Sequence, residues 1–151
     1  MRLRGLLFLL VSSCLFAEGE QACHKVGGGI STNFVDAVDT LGSATGDLAG
    51  GLGVHVIGQE AGPNGSIVLT VHHHWVTVTG DTVSLDEAKA TLFPTPVPGF
   101  YAAIYLDGVN VNGSGTGKLA GASGKIHAWG AVDLNKMELT LRYSGQICHN
   151  K

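Results

Sequence analysis

The sequence predicts an all-β chain of seven to nine short antiparallel strands, rolled into a barrel or packed as a sandwich, with no helix of normal length. Three observations carry this. A glycine-rich stretch occurs twice, GSATGDLAGGLG at 42–53 and GSGTGKLAGASG at 113–124, with eight of the twelve positions identical. Runs of alternating polarity rich in Val, Thr and Ile recur between turn signals. Charged residues are only 14% of the chain while glycines number 23, which suits tightly turned sheet and excludes a nucleic-acid surface built on clustered Lys and Arg.

The duplicated stretch favours the barrel. Glycine reaches positive φ without a Cβ clash, and a sheet that closes on itself needs points where strands bend sharply. Thr45-Gly46 and Thr116-Gly117 are expected to be such points, with Leu48 and Leu119 pinning the next strand to the core. A phosphate-binding loop is excluded. Only three residues separate Gly113 from Gly117, and Leu119 follows Lys118 where that motif needs Ser or Thr.

The chain opens on an export signal, expected over 1–22. Met1 to Arg4 is basic, 5–11 is a short apolar run and small residues follow. The run is too short to span a bilayer, so no transmembrane helix is expected. The expected location is secreted or periplasmic. VSSC at 11–14 offers an alternative, a lipid anchor on Cys14. The domain then covers 23–151 and keeps Cys23 and Cys148, one near each end. In an oxidising compartment these are expected to form one disulfide, the alternative being two free thiols.

Residues 17–21 read as a polar start, and 30–41 as either a first strand or an irregular lead-in. A strand over 52–57 follows the first glycine unit, and Pro63-Asn64-Gly65 is a strong hairpin signal. Residues 67–79 are too β-branched for a helix. On that strand Val68, Thr70, His72, His74, Val76 and Val78 share one face, and Ile67, Leu69, Val71, His73 and Trp75 the other. Gly80-Asp81 turns the chain into a partner strand over 82–92. There Val83, Leu85, Glu87 and Lys89 alternate with Ser84, Asp86, Ala88 and Ala90. Pro94, Pro96 and Pro98 break pairing, so 93–99 is an irregular connection. Strands follow at 100–106 and from 109, and a last hairpin joins 124–134 to 137–148 around Asn135-Lys136. In its second strand Met137, Leu139, Leu141, Tyr143 and Ile147 form the core face.

The segment GTGKLAGASG at 115–124, followed by an alternating strand and a terminal hairpin, resembles the allene oxide cyclase-like and dirigent-like barrels. Plant dirigent proteins carry a similar Gly-Gly-Thr-Gly-Lys-Phe stretch, which stands here as GSGTGKL at 113–119. The resemblance is strongest over 100–148 and extends to 45 through the repeat. It implies a single eight-stranded antiparallel calycin-type barrel whose mouth holds a small, mostly apolar or aromatic molecule. It also implies self-association as a dimer or trimer. Allene oxide cyclases close a ring in an unstable fatty-acid epoxide; dirigent proteins steer the coupling of phenol radicals. The catalytic carboxylates of neither group match positions here, so catalytic residues stay unassigned and only the fold carries over.

The function expected is a binder or guide of a small apolar molecule, with cyclase or isomerase activity left open. The alternative is a non-catalytic exported domain with a filled barrel. His72, His74, Trp75, Glu87, Tyr101, Tyr105, His127 and Trp129 are the candidate pocket residues. His72 and His74 share a strand face, a spacing that suits two ligands of one metal ion. A third would have to come from His55, His127, Asp86 or Glu87. The competing reading is a polar patch on the outer wall, and no cofactor is expected. Only one of Asp86 and Glu87 can face the interior, where a lone carboxylate would titrate high; pairing of Glu87 with Lys89, or exposure to solvent, is the favoured reading. Asn64 and Asn112 fit the glycosylation sequon but also serve as turn residues.

Overall fold

A computed structural model describes residues 21–150. Cys14 and the first twenty residues of the expected export signal lie outside that range. Gln21 and Ala22 belong to the first strand.

Ten strands follow in order: β1 (Gln21–Phe34), β2 (Asp39–Ala44), β3 (Gly50–Ala61), β4 (Ile67–Thr77), β5 (Thr82–Val83), β6 (Ala88–Pro94), β7 (Phe100–Ile104), β8 (Val109–Ser114), β9 (Ala120–Asp133) and β10 (Glu138–Asn150). Single 3-10 turns at Pro63–Gly65 and Gly117–Leu119 are the only helical elements among the described residues. Hydrogen-bonded neighbours run β10-β1-β2-β3-β4-β6-β7-β9, and β9 pairs again with β10. All pairings are antiparallel, so eight strands close into a ring, as the sequence led us to expect. Apolar side chains fill the interior, and among the described residues the charged groups and every histidine except His73 lie on the outside.

Two members of the ring are each broken once. β5 extends the line of β6 along β4, and β8 extends the line of β7 along β9. A bridge between Leu85 and Val111 joins the extensions. The break in the first corrects the uninterrupted strand expected over 82–92. Val83 and Leu85 are buried, and so are Ala88, Ala90 and Leu92. Strict alternation would put Ala88 outside and Glu87 inside. One extra residue at Asp86-Glu87 resets the alternation, and both carboxylates stand in solvent. The physical reason is the large cost of an unpaired charge in an apolar interior. Lys89 pairs with Glu60 across the surface rather than with Glu87.

β1 is longer than expected. It starts at Gln21 and runs through Gly27, Gly28 and Gly29, where the sequence has no side chain to signal a strand. Backbone partners on both sides hold it: β10 along its whole length, and the 45–47 segment through Thr45 N–H to Gly29 C=O and Asp47 N–H to Gly27 C=O.

Both copies of the glycine unit form the same element, a hairpin connection. The first joins β2 to β3 and the second β8 to β9, and both turn the chain at the same end of the barrel. Gly46 has φ 86° and Gly117 φ 59°, positions that a side chain would strain. Leu48 and Leu119 point into the core at 4% and 9% exposure, as expected of the anchors. Over the first loop the barrel floor is sealed by two aromatic rings. Trp75 Nε1–H donates to Leu48 C=O at 2.8 Å, and the Tyr143 hydroxyl donates to Thr45 C=O and accepts from Leu48 N–H, each at 2.9 Å. The two rings meet edge to face at 5.2 Å. Cys23 and Cys148 lie at the same end, directly opposite each other in β1 and β10, with their sulfurs at disulfide-bonding distance.

Candidate functional site

The barrel floor is closed by the glycine loops, so any site within the ring opens toward the other end. Strand alternation decides what lines it. In β4, Leu69, Val71, His73 and Trp75 point inward and His72 and His74 outward. The inward set is the face with more large apolar side chains, and His73 is its one imidazole.

Inside the ring lies an apolar cavity of about 70 Å³. Among the described residues no Asp, Glu, Lys or Arg lines it. Its polar groups are few and lie close in register. Thr40, Val54 and His73 are successive cross-strand neighbours on β2, β3 and β4, and Phe34 on β1 extends the same rung. His73 Nε2 lies 3.1 Å from the Tyr105 hydroxyl, with the rings 5.5 Å apart. The buried His73 Nδ1 has no hydrogen-bond partner, and neither has Thr32 Oγ1 nor Thr40 Oγ1. Native interiors rarely leave such groups unmet, because each costs about 1–3 kcal/mol. Three such groups belong to residues that line one cavity.

Burial dominates the electrostatics. It holds the His73 imidazole well below the ordinary range, at about 4, with a smaller push from His72 and His74 on either side. It pushes the Tyr105 phenol above its usual value. At neutral pH the cavity therefore holds a neutral imidazole beside a neutral phenol. A neutral imidazole N–H can polarise an oxygen, but without a carboxylate the cavity offers positioning and exclusion of water rather than strong acid–base catalysis.

Of the sequence candidates, Trp75 and Tyr105 line the cavity. Tyr101 is half-buried against the core but does not reach it. His72, His74, Glu87, His127 and Trp129 lie on the outside of the ring. The outer wall carries a row of its own: Asp39, His55 and His72 are directly opposed across β2, β3 and β4. Asp39 Oδ1 and His55 Nδ1 are 2.7 Å apart. His55 is thus the neighbour of His72 that the sequence could not place. Among the described residues no group of three or more side chains is arranged to hold a metal ion. His73, Thr32 and Thr40 escaped notice as site residues. Their signal was position: each is a lone polar residue on an apolar strand face.

Fold and cavity together define a closed all-β barrel with an apolar interior and a small set of unmet polar groups. Comparison of the chain with protein-family models, with curated proteins and with solved structures finds no match.

Proposed function

We propose that this protein binds or guides a small, mostly apolar molecule inside the barrel, anchored by the polar group formed by His73, Tyr105, Thr32 and Thr40. The observation that carries the reading is that three partnerless polar atoms belong to residues lining one apolar cavity, Thr32, Thr40 and His73. Apolar walls with a few placed polar groups are the usual make-up of a ligand site. The absence of a lining carboxylate favours a binder or guide over a cyclase that works by proton transfer. The eight-stranded ring and the paired glycine turns support an extension of the resemblance to allene oxide cyclase-like and dirigent-like barrels. The Cys23–Cys148 pair supports export to an oxidising compartment, and no helix among the described residues is long and apolar enough to cross a membrane.

One observation favours the alternative of a filled structural barrel. Pockets for drug-sized ligands measure roughly 300–1,000 Å³, and this cavity is far smaller. Ligand entry thus requires the half-buried Phe34, Val56, Leu69 and Leu139 to give way. Trp75 lines the cavity and Trp129 does not, so Trp129→Phe leaves one interior reporter. Titration of that variant with small apolar ketones, ethers and phenols should give a saturable change in Trp75 emission and a raised unfolding temperature. No change with any of them would leave the filled barrel as the reading.

A further inference from the structure

The chemistry the cavity selects can be read from His73, on the footing that the cavity is a ligand site. The imidazole has one polar neighbour, the Tyr105 phenol on Nε2, and none on Nδ1. Two tautomers fit that contact. With the proton on Nε2, the imidazole donates to the phenol oxygen, and both the phenol proton and the Nδ1 lone pair are left unmet. With the proton on Nδ1, the phenol donates to Nε2, and only the Nδ1 N–H is unmet. Each unmet buried group costs about 1–3 kcal/mol, so the second tautomer prevails. The hydroxyls of Thr32 and Thr40 add two more protons with no acceptor. The Nδ1–H is thus the one unmet group of the wall that can only donate, since a hydroxyl also accepts, and no charged side chain among the described residues lines the cavity.

We propose that the cavity selects a small neutral molecule bearing a hydrogen-bond-accepting oxygen, a ketone, ether or ester, and that the Nδ1–H of His73 reads that oxygen. A carboxylate or an ammonium would enter without a counter-charge and would be desolvated without adequate return. A plain hydrocarbon would fit the walls but leave the donors unmet.

Cyclopentanone and methylenecyclopentane, near-equal in shape, separate these cases. Their dissociation constants are measured by NMR titration against the wild-type chain, His73→Phe and Tyr105→Phe. Because the hydrocarbon leaves water more readily, the informative quantity is the ketone-to-hydrocarbon preference relative to each variant. This preference should be at least tenfold greater in wild type than in His73→Phe, and reduced in Tyr105→Phe, which frees the tautomer while keeping the imidazole. Binding of both probes with equal preference in all three proteins would overturn the donor assignment while leaving the cavity a ligand site. Should neither probe bind the wild-type chain, the ligand-site reading falls and this inference with it.

Discussion

Leu48 and Tyr143 are 95 residues apart in the chain, yet the backbone N–H of Leu48 donates to the Tyr143 hydroxyl at 2.9 Å. That bond fastens the first glycine loop to the last strand and closes the barrel floor. Tyr143→Phe removes the acceptor for a buried N–H and the donor to Thr45 C=O without changing the ring. The expected loss is about 1–3 kcal/mol, seen as a lower denaturant midpoint with an unchanged slope. An unshifted midpoint would mean that water serves the loop as well as the phenol does.

The glycine turns themselves are testable. At Gly46, φ is 86°, and a Cβ would overlap the Gly27 carbonyl of β1. Gly46→Ala combines left-handed strain of about 1–2 kcal/mol with that clash, so a loss above 2 kcal/mol is expected. Gly51→Ala is the control, because an added Cβ there meets nothing within 4 Å. Equal losses in the two variants would count against the role given to the repeat.

The Cys23–Cys148 pair closes a loop of 125 residues. In the chain-entropy model a cross-link over that span contributes on the order of 4–5 kcal/mol. Intact-mass measurement should show a gain of two hydrogens on reduction, and the reduced protein should unfold at a lower temperature. Free thiols at both positions in protein exported to an oxidising compartment would contradict the pairing.

Stability should depend on pH through His73. In the unfolded chain this imidazole titrates near 6.5 and in the folded barrel near 4. Between those values the unfolded chain binds a proton that the folded chain refuses. Stability therefore falls as pH drops from 6.5 to 4, by up to about 3 kcal/mol, and levels off below. The difference between wild type and His73→Phe isolates this contribution from the exposed histidines. Parallel stability curves for the two proteins across that range would show that His73 protonates freely in the fold.

Much of the fold was legible in the sequence because its signals were local. Alternation in 67–79 and 137–148 separated inner from outer residues except at Met137, which was expected in the core but is exposed at positive φ in the turn before β10, and the repeated Thr-Gly step marked two turns that do close one end. Where the signal was missing or misleading, tertiary structure decided. Gly27 to Gly29 gave no strand pattern, since partners on both sides hold that backbone. Asp86 and Glu87 stand in solvent, as the favoured reading allowed, but the single extra residue that turns both out gave no local signal. At the site, His72 and His74 are conspicuous in the sequence but stand outside the ring, whereas His73 between them lines the cavity. Alternation had already set His73 beside Val71 and Trp75, but only the closed ring shows that this face is the interior. Thr32 and Thr40 were invisible for a different reason: a threonine among β-branched neighbours reads as a strand former, and its missing partner appears only in three dimensions.

The central claim is that His73 sits neutral within an apolar cavity, with its proton on Nδ1 and Nε2 accepting from Tyr105. NMR of the imidazole nitrogens in uniformly 15N-labelled protein, followed from pH 7 down to 4, tests it most directly. The account predicts a protonated Nδ1 and an unprotonated Nε2 for His73, unchanged until the pH approaches 4. A proton on Nε2, or titration of His73 near 6.5, would contradict it.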